Sequence, residues 1–332
     1  MQVADFDGGR GPHGRQCCST APVGRPAPSR SAAPDPAGRD PRPLLCACVD
    51  IGSNTTRLLV AETGNNGFRE ILAQRSFTRL GAATGPDGAI AHEKIREVAE
   101  VVAAQVAAAR EVGARRLRVV ATAAIRCAPN RDGLVEAIAR AAGVDVDVLT
   151  AEEEARLAFS GATALIDPPP AGSIGVVDVG GGSSELAVGT VAEGARWIVS
   201  LPVGSGVLAD AHLRSDPPAP AELAALREAA ARAFGAISPP HTDVAVAVGG
   251  SATSLRRLVG PVLDEESIAE ALEAVVADRA ASVARRYDLD AERVRLLPAG
   301  LAVLEEAARV FAAPLELALG GLREGVLLAE TA

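Results

Sequence analysis

Two short stretches of the chain carry the same residue types at the same spacing. "VDIGSNTTRLLVAE" spans residues 49–62 and "VDVGGGSSELAVG" spans 177–189. Aligned, Asp50 meets Asp178, Gly52 meets Gly180, Thr55 and Thr56 meet Ser183 and Ser184, and Arg57 meets Glu185, each 128 positions on. In both, an apolar strand ends in a carboxylate, passes through small residues and turns apolar again. A carboxylate at a strand end, Asp50 or Asp178, can hold Mg²⁺ directly or through water. Glycines let backbone N–H groups approach an anion closely, and small hydroxyls add donors to phosphate oxygens. The expected phosphate cradle is therefore Gly52, Ser53, Asn54 and Thr55 from the first turn, with Gly181, Gly182, Ser183 and Ser184 from the second. A third glycine turn, "VGGSATS", follows at 248–254.

Other charged residues sit where such a site would need them. "TAEEEARLAFSGATAL" opens at Thr150 with three glutamates. Thr150 and Glu153 fit a capping box, and Glu152 suits the positive end of the helix dipole. Glu154 has no such structural explanation. It shares a helix face with Leu157, Ala158, Gly161 and Leu165, so it is an acid at the end of an apolar stripe, placed to face a cleft. Arg126 closes the apolar run "VVATAAI", and a cation there suits anion binding. Glu185 follows the serines of the second turn. Arg57, Arg256, Arg257 and Arg323 are weaker candidates; the last is expected to brace the C-terminal helix.

The elements that must position these residues alternate in type. Strands are expected at 44–51, 57–63, 69–80, 117–125, 144–149, 174–180 and 184–190. A strand, a glycine turn and a helix start are expected over 243–255. Helices are expected at 91–111, 132–142, from Thr150 onward, and at 219–235, 267–286, 299–312 and 321–330. "DPPPAG" at 167–172 marks a boundary. This interleaving argues for an α/β protein, and the internal repeat for two similar domains facing a cleft. Residues 1–43, rich in Pro, Gly, Ser and Ala, read as a disordered tail, or as the product of a misplaced start site.

Composition narrows the function class. The 332 residues are 48% hydrophobic but only 2% aromatic, so the cores must be Val, Leu and Ala. A net charge of −9 does not suit coating nucleic acid. Five cysteines without a CxxC pair or a His cluster argue against zinc. No apolar run suits a membrane span or a signal peptide, which points to a cytoplasmic protein.

"VDIGSNTTRLLV", "VATAAIR", "EEEARLAFSG", "VVDVGGGSSEL" and "LPAGLAVLEEAARVF…GGLREGVLL" together resemble the Ppx/GppA exopolyphosphatases and guanosine pentaphosphate phosphohydrolases. These belong to the wider superfamily of actin, Hsp70 and sugar kinases. The resemblance implies two actin-like (ribonuclease H-like) domains around an interdomain cleft, at 44–167 and 168–332, with the last helix packing back on the first. It implies Mg²⁺-assisted release of terminal phosphate from inorganic polyphosphate, with pppGpp as the alternative substrate. Glu154 would be the catalytic base, Glu185 would order metal or water, and Arg126 would contact phosphate. The chain resembles the short, two-domain type, for which short polyphosphate is the expected substrate, and a homodimer is compatible with it. A small-molecule kinase and a non-catalytic nucleotide sensor are the other readings of the same fold; Glu154, Asp178 and Glu185 argue against the sensor.

Overall fold

The computed structural model describes residues 44–64, 67–85 and 87–330. The expected tail at 1–43 lies outside them. Strands β1 (Leu44–Ile51), β2 (Thr56–Gly64) and β3 (Gly67–Ser76) form an antiparallel meander. β4 (Arg116–Ala121) and β5 (Val146–Val148) join it in parallel, in the order β3-β2-β1-β4-β5. Helices α1 (His92–Glu111) and α3 (Arg131–Ala142) pack on one face of this sheet. α1 buries Ile95, Val98, Val102, Val106 and Ala109, the stripe that the helical spacing predicts.

The second sheet repeats the first. β6 (Ile174–Val179), β7 (Ser184–Thr190) and β8 (Gly194–Leu201) form the meander. β9 (Val244–Gly249) and β11 (Leu315–Leu317) add in parallel, and β10 (Val262–Leu263) closes the edge. The match extends to individual residues. Asp50 pairs with Arg57 across its hairpin, and Asp178 pairs with Glu185 across the other. Asp50 lies beside Val120 of β4, and Asp178 beside Val248 of β9. Even the bulge recurs, between Val60 and Ala61 in one sheet and between Val188 and Gly189 in the other. Both bulges sit at the 128-residue offset of the sequence repeat.

Two helices cross between the sheets. α4 (Ala151–Ala164) precedes the second sheet but packs on it, placing Phe159 and Ala162 among Ile174, Val176, Ala187 and Val246. α11 (Leu322–Ala329) ends the described chain, yet its Leu322, Val326 and Leu327 bury against Cys46, Cys48, Leu59 and Val120 of the first sheet. Each such side chain contributes about 1.5–3 kcal/mol when fully buried. The helices touch through glycine: a Cβ on Gly161 would collide with the backbone of Gly321 and Gly325. The other face of the second sheet is covered by α5 (Ser205–His212), α6 (Pro220–Phe234) and α10 (Ala291–Phe311), with α7 (Gly250–Val259), α8 (Glu265–Val276) and α9 (Ala280–Tyr287) beyond.

Several elements differ from the sequence expectation. The strand expected to reach residue 125 stops at Ala121, and the one-turn helix α2 (Ala123–Arg126) follows. Thr122 turns the chain there, its carbonyl accepting the N–H groups of Ile125 and Arg126. The helix expected over 267–286 is two, because Asp216, distant in sequence, accepts the N–H of Ala280 and starts α9 afresh. α10 begins at Ala291 rather than 299 and runs through Pro298, with Asp290 as its N-cap. Burial on nearly every side holds this helix across the missing donor. The strand expected to reach 80 ends at Ser76, and a 3₁₀ turn occupies Leu80–Ala83. β8, α5, β10 and β11 had no sequence signal strong enough to predict them. Among the described residues, no helix is long and apolar enough to cross a membrane.

Candidate active site

The two hairpin turns meet tip to tip. Each is closed by the same bond, Gly52 N–H to Thr55 O and Gly180 N–H to Ser183 O, both 3.0 Å. Ser53 packs on Gly182, and the Asn54 amide lies against Gly181 and Gly206. A side chain at any of these three glycines would hold the turns apart. Two elements brace the tips from behind. Arg79 and Gly81 donate backbone N–H groups to Asn54 O and Ser53 O, and Ser205, Gly206 and Val207 donate to Gly180 O and Gly181 O. Among the described residues, no backbone carbonyl takes the N–H groups of Ser53, Asn54, Gly181, Gly182 or Ser183. They are donors left over where an anion would sit.

The turns line a cleft with about 540 Å³ of empty space. Asp50, Gly52, Ser53, Asn54, Thr55, Glu154, Asp178, Gly181, Gly182 and Ser183, all expected at the site, line it. The remaining three expected residues do not. Ser184 is fully buried and its hydroxyl donates to Val203 O at 2.7 Å, so it supports the strand rather than a phosphate. Glu185 is buried behind Asp178 and accepts from the Ser200 hydroxyl at 2.8 Å. Arg126 commits its guanidinium to Leu149 O and to Glu154 Oε2, both at 2.8 Å. It ends α2 rather than a strand, so it faces the start of α4 and positions Glu154.

The glutamates at the start of α4 divide as their spacing predicts. Thr150 and Glu153 form the capping box, and Glu152 pairs outward with Arg156 at 2.8 Å. Glu154, only 6% exposed, turns inward. Burial pushes its carboxyl well above the usual range, the Glu185 charge adds to this, and Arg126 opposes both. Burial likewise raises Glu185 to about 7, with Asp178 adding to it. Asp178 rises to about 6, through burial against the pull of Arg57. Glu154 and Asp178 at the cleft, and Glu185 buried beside them, lie close together with too little positive charge to offset their burial.

Two residues of the site gave weak or no signal in the sequence. Arg57 lines the cleft and pairs with Asp50 at 3.1 Å, which partly neutralises that expected metal ligand. Arg293, near the start of α10, is 4% exposed and also lines the cleft. Among the described residues it meets no carboxylate, and its Nε has no hydrogen-bond partner. Burial, with Arg57 and Arg75 nearby, pushes its ionisation down to about 9. A buried guanidinium without a counter-ion is a strong pointer to an anion. Asn54 Nδ2 is a second buried donor without a partner. Arg256 and Arg257 instead bond to Leu317 O and Asp288 O, and Arg323 pairs with its neighbour Glu324.

The residues fit a divalent cation that arrives with its substrate better than one held by a preformed cage. Among the described residues, no three His, Cys, Asp or Glu side chains cluster to hold a metal. Among the described residues, Asp178 is the acid at the cleft without an arginine hydrogen-bonded to it. Mg²⁺ commonly keeps several waters and binds through one or two carboxylates plus substrate phosphates.

Two actin-like lobes, each presenting an Asp-turn hairpin to a shared cleft with unpaired donors, define a phosphate-handling α/β protein of the actin-like class. Within that class the chain belongs to the Ppx/GppA phosphatase family, whose sequence pattern matches residues 59–332. It is 30% identical over 298 residues to Exopolyphosphatase 1 of Mycobacterium tuberculosis, covering 84% of this chain and 86% of that one. It is 26% identical over 305 residues to the guanosine-5'-triphosphate,3'-diphosphate pyrophosphatase of Vibrio atlanticus, covering 86% of this chain and 59% of that one. A crystal structure of the Aquifex aeolicus family member superposes with a TM-score of 0.72 at 27% identity, over 87% of this chain and 97% of that one.

Proposed function

We propose that this protein is an exopolyphosphatase, removing terminal phosphate from short inorganic polyphosphate, with lobes 44–167 and 168–332 closing on the substrate. The observation that carries this reading is the meeting of the two hairpin tips beside a buried, raised carboxylate, Glu154. Such a site can hold a phosphoryl group between leftover N–H donors while a base faces it. The N–H groups of Asn54 and Gly181–Ser183, with the Asn54 amide and Arg293, bind the terminal phosphates. Arg126 fixes the direction of Glu154. Glu154, ionised, takes a proton from the attacking water as the new P–O bond forms and the bridging P–O bond breaks. The leaving chain departs with the bridging electron pair. Asp178, backed by Glu185, would hold Mg²⁺, which would neutralise charge on the phosphate oxygens. The name of the mycobacterial relative supports polyphosphate as the substrate. That of the Vibrio relative supports pppGpp as the alternative, since both reactions remove a terminal phosphate.

The test is phosphate release by the full chain from tripolyphosphate, longer polyphosphate, pppGpp and ATP, with and without Mg²⁺. Polyphosphate should be cleaved fastest, and Glu154→Gln should be folded and inactive. Cleavage of pppGpp alone would replace the substrate. Binding without hydrolysis of any of the four would remove the enzymatic reading.

A further inference from the structure

We propose that Arg75, Phe77 and Arg293 form a guanidinium track leading out of the cleft, which grips the phosphates behind the one being cleaved. This inference rests on the polyphosphate reading above. Arg75, near the end of β3, is exposed, and its guanidinium carbon lies 5.1 Å from the centre of the Phe77 ring. Arg293 reaches the same ring from α10, at 5.8 Å. The two carbons are therefore no more than about 11 Å apart, one in the cleft and one outside it. That span is within reach of a few consecutive phosphoanhydride units.

Their partners, or lack of them, set these arginines apart. Arg79, two residues beyond Phe77, bridges to Asp210 and Glu292, and Arg57 to Asp50. Among the described residues, neither Arg75 nor Arg293 is paired with a carboxylate. Asp290, the acid that acts on Arg293, uses its side chain to cap α10. Both Arg57 and Arg75 act on Arg293 as like charges. The chain carries 42 acidic residues against 33 basic ones, so carboxylates are not scarce. Neighbouring guanidinia without counter-ions repel one another, and a polyanion supplies the missing charge. Both cations lie over the one ring, a contact that engages no N–H group, so their donors stay available to phosphate oxygens. Linear polyphosphate carries charge on every unit, so it can follow such a track without base or sugar contacts. Because the track is short, its benefit should grow from tripolyphosphate to slightly longer chains and then level off.

The test compares the wild-type full chain with Arg75→Glu, using equilibrium binding and phosphate release on tripolyphosphate and on longer chains. Arg75 is exposed, so the fold should survive the change. Wild type should bind the longer chains more tightly. Arg75→Glu should weaken long-chain binding by roughly tenfold and tripolyphosphate binding by less, so that the preference for length collapses. A variant that keeps the wild-type length preference in binding overturns the track, whatever its activity. Should wild type bind polyphosphate but hydrolyse none, the proposed activity falls while the binding comparison still decides the track. Should it bind none, both fall.

Discussion

The contact between Asn54 and Gly181 ties the fold to the chemistry most directly. A methyl group on Gly181 would lie 2.6 Å from Asn54 Cγ and Nδ2, inside the 3.0 Å that real Cβ atoms keep. Gly181 is not at positive φ, so space alone excludes alanine. The amide's room to retreat is limited, because Gly206 also lies against it. Gly181→Ala should therefore cost about 1–3 kcal/mol of stability through overpacking. Asn54→Ala should behave differently. Its Nδ2 is buried without a partner, so truncation removes an unsatisfied donor and should leave stability within about 1 kcal/mol of wild type. In the double variant the methyl has room, and the combined loss should fall short of the sum by about 1 kcal/mol or more. Substrate binding should move independently of stability. A phosphate oxygen satisfies Nδ2, and a hydrogen bond to a charged group contributes about 1.5–3 kcal/mol, or roughly 10–100-fold in KM. Urea unfolding and steady-state kinetics on the four proteins of the cycle measure both. Additive stability losses would refute the tip-to-tip contact, and Asn54→Ala with an unchanged KM would refute the amide as a phosphate donor.

Further outcomes follow from the charges. Glu154→Gln should lower kcat by about 10²–10⁴, yet raise the melting midpoint at about pH 8, because the ionised side chain is opposed by burial and by Glu185; scanning calorimetry and kinetics on one preparation check both. Stability should fall as pH rises from about 4 to about 7, the reverse of a salt-bridged acid, because folded Asp178 and Glu185 keep protons that the unfolded chain releases. For Glu185 the change is on the order of 3 kcal/mol, and a flat urea-unfolding profile across that range would contradict it. Mg²⁺ needs the ionised acids, so its thermal stabilisation should be larger at about pH 8 than at about pH 5. Arg293→Leu removes a buried cation that has no paired carboxylate among the described residues; it should preserve or raise the melting midpoint while raising KM for polyphosphate roughly tenfold or more. A destabilised variant with normal KM would show that the arginine serves the fold alone.

What was legible in the sequence was local. The strand–Asp–turn–strand units depend on short-range chemistry: apolar alternation, glycines that admit close approach, and small hydroxyls. Their spacing therefore predicted two matched strand–turn–strand units; the register that sets Asp50 opposite Arg57 and Asp178 opposite Glu185 came with the structure. The capping box at Thr150 is local too, and by claiming Glu153 it singled out Glu154 as the inward acid. What periodicity could not supply was which surfaces meet. Arg293 lies ahead of the helix expected at 299–312; only the docking of α10 beneath the cleft removes it from water and, among the described residues, leaves it without a paired carboxylate. Arg126 looks like a free cation at a strand end until α2 turns it toward α4. Ser184 alternates correctly for the cradle, but the pleat of β7 points its hydroxyl at Val203. The sequence by itself determined the two hairpins, the acid on α4 and the α/β alternation, because each arises within a few residues of chain. Only the tertiary structure decided which charges lose their solvent, since desolvation depends on what packs above a residue, and that comes from segments hundreds of positions away.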